Sequence, residues 1–220
     1  MSKFSIIITA GGIGKRMGAS LPKQFIQINE KPILMYTIEQ FYHCDPKAQL
    51  LLTLPEDWRT YWEELIEEND FRIPHRVISG GIERYDSIKN ALQFCHGEYI
   101  AVHDGVRPLV TVETIERCFN AVKKKKAVIP IMPVKESLRR ITKSVTSAVN
   151  RAEYCNVQTP QCFEKDVLLS AYELPFNETI TDDASLVELN GTKIHTVAGN
   201  DENIKITNQT DLALAEHLLK

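Results

Sequence analysis

Three cationic residues fall in or beside one glycine-rich segment near the start of the chain. Lys15 and Arg16 lie within the stretch AGGIGKRMGASLPK at residues 10–23, and Lys23 stands behind Pro22. The segment follows the apolar run Phe4 to Ala10. A β-branched strand that empties into a glycine-rich turn presents bare backbone N–H groups where a polyphosphate can approach without obstruction. Ala10, Gly11, Gly12 and Gly14 supply that turn. A loop that only holds a dinucleotide has no need of three fixed positive charges, whereas one that stabilises a phosphorus centre under attack does. The residues therefore point to transfer chemistry.

Two known phosphate loops fit the segment poorly. A P-loop ends in Gly-Lys-Ser/Thr, and here Gly14-Lys15 is followed by Arg16, so no hydroxyl is placed to hold magnesium. The dinucleotide pattern is one residue too long before Gly18, and the helix-like stretch Ile33 to His43 stands where a second strand with its ribose-binding acid belongs. An ordinary glycine-rich turn remains the plain alternative.

Further candidate groups follow later apolar runs. His103-Asp104-Gly105-Val106-Arg107-Pro108 comes directly after the expected strand Tyr99 to Val102. Asp104 there can hold Mg²⁺ or a substrate hydroxyl, and Arg107 can pair with phosphate or fix Asp104; a structural Asp–Arg pair closing a loop is the competing reading. Gly80-Gly81, with Arg84 and Ser87, forms a second strand-to-helix turn able to receive a base or ribose through backbone groups, or only to turn the chain. Lys205, set among Ile204 and Ile206, is expected to point at something anionic or to snorkel from a strand edge.

The elements that must position these residues alternate. Helical periodicity is expected over Ile33 to His43, Trp58 to Glu68, Tyr85 to Cys95 and Val112 to Val122; strands are expected at Gln49 to Leu54, Arg76 to Ile78, Tyr99 to Val102 and Ala127 to Met132. Repeated βα order implies an α/β fold, a Rossmann-like, mostly parallel sheet with helices on both faces and ligands beyond the carboxyl ends of its strands. The pattern breaks at Pro133. Residues 135–157 carry no helical stripe, and a stretch of that kind in a compact domain is functional or engaged with another chain; it is expected to be a β-rich arm. Helices near Lys165 to Tyr172 and Asp183 to Leu189, strands at Thr192 to Val197 and Asn203 to Thr207, and a last helix capped by Thr210 or Asp211 complete the reading.

Composition sets limits on function. The 220 residues, 43% apolar and 25% charged, suit one well-buried domain spanning 1–220, and no second catalytic domain is expected. A formal charge of −3 gives no general attraction to nucleic acid or to a membrane, so the basic residues act locally. Lys123 to Lys126 reads as the solvated end of a helix. The amino terminus lacks signal-peptide character and no apolar run reaches membrane-spanning length, so the cytoplasm is the expected location. Cys44, Cys95, Cys118, Cys155 and Cys162 show no paired spacing and are expected as free thiols.

Six segments together resemble one family, the 2-C-methyl-D-erythritol 4-phosphate cytidylyltransferases of the non-mevalonate isoprenoid pathway. They are AGGIGKRMGASLPKQF, GGIERYDS, VHDGVRP, QTPQCF, TDDASLVE and NIKIT, spread in the family's order over nearly the whole chain. The resemblance implies a cytidylyltransferase joining CTP to methylerythritol 4-phosphate with release of pyrophosphate, with Mg²⁺ as cofactor. It places Ala10, Gly11, Gly12, Gly14 and Lys15 around the CTP phosphates, and Arg16, Lys23 and Lys205 as the catalytic cations. Gly81 and Ser87 match positions at the cytosine and ribose. Asp104, Arg107, Thr159 and Lys205 match positions around the second substrate and the metal. Ser137 and Arg151 lie on the arm, which in the family crosses to a partner subunit, so a homodimer is implied. Two segments depart from the pattern: VHDGVRP stands for VHDAARP, and VKES replaces an Asp-Thr pair at the arm. The first variant also resembles the ribitol 5-phosphate cytidylyltransferases, while TDDASLVE favours the methylerythritol enzymes. A non-catalytic nucleotide-binding module is a further alternative, against which the retained cations argue.

Overall fold

The computed structural model describes residues 2–11, 21–177 and 180–220. It begins with β1 (Phe4–Thr9). Successive side chains of a strand face opposite ways, and here both faces are apolar: Ile6 and Ile8 pack on one side of the sheet and Ile7 on the other. Full burial of such a side chain is worth about 1.5–3 kcal/mol. β1 is thus clamped from both sides, which fixes Thr9 and Ala10 where the glycine-rich segment starts. The short strands β2 (Gln27–Ile28) and β3 (Lys31–Pro32) pair with each other, while β1 runs parallel to β4 (Gln49–Leu54) and to β6 (Tyr99–Asp104), and β5 (Arg76–Ser79) extends the sheet parallel to β4.

Helices cover both faces, as the βα alternation predicts. α1 (Ile33–Cys44), α2 (Arg59–Glu68) and α4 (Val112–Lys125) contribute to one apolar core; α3 (Arg84–Leu92), α5 (Lys165–Ala171) and α6 (Asp183–Leu189) contribute to the other. α4 shows how the sequence sets these helices. The Thr111 hydroxyl accepts from the Thr114 N–H at its start, and Ile115, Cys118, Phe119 and Val122 form the buried stripe. Lys123, Lys124 and Lys125 stand in its last turn, where positive charge complements the helix dipole.

The second half of the sheet departs from a simple parallel order. β7 (Ala127–Pro133) is followed by an excursion in which β8 (Arg139–Thr142) and β9 (Val145–Ala148) pair only with each other. The chain then returns as β10 (Cys155–Val157), antiparallel to β7, and β11 (Gln161–Glu164), antiparallel to both β6 and β7; β12 (His195–Ala198) runs parallel to β7. The order is β10-β7-β11-β6-β1-β4-β5, with β12 also on β7. The arm expected at residues 135–157 is therefore a protruding hairpin on stems tied into the main sheet.

Several expected boundaries are corrected. His103 and Asp104 are the last residues of β6 and do not follow it. Asn203 to Thr207 forms no strand: the Ile206 N–H reaches the Val106 carbonyl, and the Ile206 side chain fills a third, smaller core with Ile28, Ile33, Val106 and Ala215. α7 (Gln209–Leu218) is capped by Asn208, and neither Thr210 nor Asp211 caps it; Asp211 completes the reciprocal box three residues in.

Candidate active site

A cleft of about 260 Å³ opens at the carboxyl ends of β1 and β6, where ligands sit in open parallel sheets. Thr9, Ala10 and Gly11 form one wall. Ala10 is held by its N–H to the Thr53 carbonyl, 3.1 Å, and by its own carbonyl, which accepts from the buried Gln24 amide at 2.6 Å. Gln24 belongs to a short 3₁₀ turn, Lys23–Phe25, anchored by Phe25. That ring is buried against Trp58, Tyr61 and Trp62 at centroid distances of 5.5 to 6.1 Å. Lys23 opens the turn and lines the cleft. Gly12, Gly14, Lys15 and Arg16 lie outside the described residues.

The opposite wall is the Gly80-Gly81 turn and the start of α3. Ser87 uses its hydroxyl twice, accepting from the Gly81 N–H at 2.9 Å and donating to the Glu83 carbonyl at 3.1 Å. Glu83 and Asp86 form a reciprocal capping box. A Cβ on Gly81 would stand 2.2 Å from the Asp86 Cβ, so the turn requires glycine there. Ala10, Gly11, Gly81 and Ser87 thus meet around one opening.

Asp104 lies in the floor, with its side chain 8% exposed. Its Oδ2 is 3.0 Å from Arg107 Nε and 3.2 Å from Lys205 Nζ, and its Oδ1 is 3.7 Å from Arg84 Nε. Burial opposes the charge, but Lys205, Arg84 and Arg107 outweigh it and hold the carboxyl well below the usual carboxylate range. The anion that the Lys205 position requires is Asp104. Arg107 also donates to the Asn203 carbonyl at 2.8 Å, so of its two anticipated uses it adopts the one that fixes Asp104.

Thr159 lies beneath this floor. Its Oγ1 accepts from the Asp104 N–H at 3.2 Å and stands 2.9 Å from His103 Nδ1, while His103 Nε2 faces the Arg107 carbonyl at 3.3 Å. A carbonyl can only accept, so Nε2 carries the proton and Thr159 donates to Nδ1. Burial first, then the neighbouring Arg107 and Lys205, push His103 down to about 3, although Asp104 acts the other way. A base with a depressed native pKa is protonated more readily in the unfolded chain. Its stabilisation is therefore complete above its ordinary value of 6.5 and is lost as pH falls toward about 3. Denaturant unfolding should show stability declining over that interval, and His103→Gln should flatten the decline; an unchanged profile would show that His103 is not the controlling group.

Ser137 and Arg151 are exposed on the arm and do not line the cleft; the Arg151 guanidinium donates to the Lys135 carbonyl. Arg107 and Thr159 likewise support the cleft from below without lining it. Sequence reasoning did not assign roles to Gln24, His103, Arg84 or Asp183. All four stand inside the segments that carry the family resemblance, but nothing in their spacing shows that Gln24 reaches Ala10 or that Asp183 reaches Arg84. Among the described residues, no group of three or more His, Cys, Asp or Glu side chains is placed to hold a metal.

A model of the family described as 2-C-methyl-D-erythritol 4-phosphate cytidylyltransferase matches residues 4–220. The protein of that description from Bacteroides thetaiotaomicron is 46% identical over 218 residues, covering 99% of this chain and 100% of its own. One from Bacillus cereus is 39% identical, covering 98% and 97%. The crystal structure of 4-diphosphocytidyl-2C-methyl-D-erythritol synthase from Anaerococcus prevotii superposes with a TM-score of 0.85 at 29% identity, covering 99% of this chain and 96% of that one. The fold is that of an α/β nucleotidyltransferase. Within that class, the chain belongs to the 2-C-methyl-D-erythritol 4-phosphate cytidylyltransferase family.

Proposed function

We propose that the cleft binds CTP and 2-C-methyl-D-erythritol 4-phosphate and that a phosphate oxygen of the second attacks the α-phosphorus of the first in line. The products are 4-diphosphocytidyl-2-C-methyl-D-erythritol and pyrophosphate, in isoprenoid precursor biosynthesis. The observation that carries this reading is a buried carboxylate, Asp104, ringed by Arg84, Arg107 and Lys205 in a cleft that Gly11 and Gly81 also line. A phosphate monoester is largely dianionic near neutral pH, its second pKa being about 6, so no general base is needed. His103 agrees with this, since it is neutral and both ring nitrogens face partners.

The difficulty of the reaction is bringing two polyanions together. Arg16, Lys23 and Lys205 answer it with positive charge, which counts most as charge shifts onto the departing pyrophosphate. Ala10, Gly11, Gly12, Gly14 and Lys15 wrap the phosphates, and Gly81 and Ser87 receive cytosine and ribose. Arg107 and Thr159 hold Asp104 in the floor beneath the methylerythritol phosphate. Mg²⁺ binds through one or two carboxylates together with substrate phosphates, and keeps waters. An ionised Asp104 beside a phosphate-binding turn fits the role of that carboxylate. The ion, when bound, supplies charge neutralisation at the phosphates.

The β8–β9 hairpin is exposed along its whole length, with Ile141 74% and Val145 66% exposed. A second copy of the chain would cover these side chains and bring Ser137 and Arg151 to the neighbouring cleft, which makes the protein a homodimer. Sedimentation should find a dimer, and a fully active monomer would refute the shared site. No helix among the described residues is long and apolar enough to cross a membrane.

The test of the activity is pyrophosphate release with Mg²⁺, pairing CTP, ATP, GTP or UTP with methylerythritol 4-phosphate or ribitol 5-phosphate. Release with CTP and methylerythritol phosphate alone is expected. Release only with ribitol phosphate would overturn the acceptor, and no release with any pair would leave a nucleotide-binding module.

A further inference from the structure

Arg84 is the first residue of α3, directly after the Gly80-Gly81 turn, and its side chain lines the cleft. Its guanidinium lies between two carboxylates: Nη2 donates to Asp183 Oδ2 at 2.7 Å, and Nε stands 3.7 Å from Asp104 Oδ1. Asp183 is fully buried, whereas the Arg84 side chain is 31% exposed, so the pair is asymmetric. The anchored end is inside and the other end opens on the cleft.

Asp183 is held independently of Arg84. Its Oδ1 accepts from the Tyr172 hydroxyl at 2.6 Å, and it opens α6 behind the Asp182–Ser185 capping box. Gln161 fastens that helix start to β11, donating to Asp182 at 2.7 Å and accepting from the Ala184 N–H at 2.8 Å. A buried carboxylate held this firmly fixes the direction of the one guanidinium that reaches it. Arginine carries five N–H donors in a planar fork, and no described residue accepts from Nη1 of Arg84. A purely structural ion pair needs no such opening. The two carboxylates also keep the guanidinium charged although burial disfavours it.

We propose that Arg84 is a further nucleotide-binding residue, whose guanidinium takes a phosphate oxygen of CTP, and that Asp183 is the positioning residue that aims it into the cleft. This rests on reading the cleft as the CTP site. Lysine at position 84 would keep the charge but could not span Asp183, Asp104 and a phosphate together.

The experiment is calorimetric titration of the full chain with CTP and Mg²⁺ at two salt concentrations, alongside thermal melting. Arg84→Ala should weaken CTP by about tenfold or more, the size of a lost charge-assisted hydrogen bond, and should lower the salt dependence. Arg84→Lys should recover only part of the affinity. Asp183→Asn keeps the shape and a partner for Tyr172. It should weaken CTP in the wild-type background and add nothing in the Arg84→Ala background. Unchanged CTP affinity in Arg84→Ala would overturn the role of Arg84. An equal effect of Asp183→Asn in both backgrounds, or a lower melting temperature with CTP affinity intact, would show that Asp183 is only structural. Wild-type protein that binds no CTP would overturn the reading of the cleft, and this inference with it.

Discussion

Replacing Lys23 by alanine is expected to lower kcat by about 10²-fold or more, the usual cost of removing one preorganised charge from a transition state. The effect is large because the lysine is fixed from behind. Gln24 bonds the Ala10 carbonyl and Phe25 is buried against Trp58 and Trp62, so the turn that carries Lys23 cannot move to compensate. The same anchoring makes the variant interpretable. Alanine removes the ammonium group and leaves both anchors in place. Charge that acts on the reacting phosphates should affect kcat more than KM. Steady-state pyrophosphate release at saturating substrates is the measurement, and near-normal kcat would remove Lys23 from the catalytic set.

Asp104→Asn is expected to damage both activity and stability. The carboxylate is the common partner of Arg84, Arg107 and Lys205, and an amide of the same shape takes the anion from Arg107 and Lys205 while Arg84 keeps Asp183. Removing one member of a buried ionic cluster costs about 3–5 kcal/mol, and the Lys205 side chain, 42% exposed, places this variant toward the lower end of that range. The sign with pH is definite. The native pKa of Asp104 is depressed, so its stabilisation is complete above its ordinary value of 3.8 and is lost as pH falls below it. The gap between wild type and Asp104→Asn should therefore be constant near neutrality and close only in acid. A gap that narrowed between pH 8 and 5 would assign the effect to another group. Activity should fall by about 10²-fold or more, since the cations around the phosphates lose their fixed positions.

The alternation of apolar runs and helical stripes made the sheet legible from β1 to β7, because β1, β4, β6 and the first half of β7 are buried on both faces and read as continuous hydrophobic runs. β11 escaped detection: Gln161 to Glu164 is short, begins behind a proline and contains only two apolar residues, so its place between β6 and β7 is fixed by pairing across sequence. Ile204 and Ile206 imitated strand alternation, but Ile206 packs into the small core beside α7. At the site, Asp104, Arg107 and Lys205 were legible because polar residues among apolar ones need partners. The Arg84–Asp183 pair was not, because its members are 99 residues apart and only the fold brings them together.

The cleft lining runs from Thr9 to Lys205, and this has a meaning for how the molecule comes into being. Asp104 rests on Thr159, and β1 pairs with β6 across some 95 positions, Phe4 against Tyr99. Contacts of such long span are entropically costly to close before neighbouring ones are formed. A ribosome must deliver the chain through residue 205 before Lys205 can meet Asp104, so no shorter nascent segment carries a complete cleft. Nucleotide capture thus belongs to the finished fold, and the wall formed by Thr9 and Ala10, the first to be made, is among the longest to wait for its counterpart.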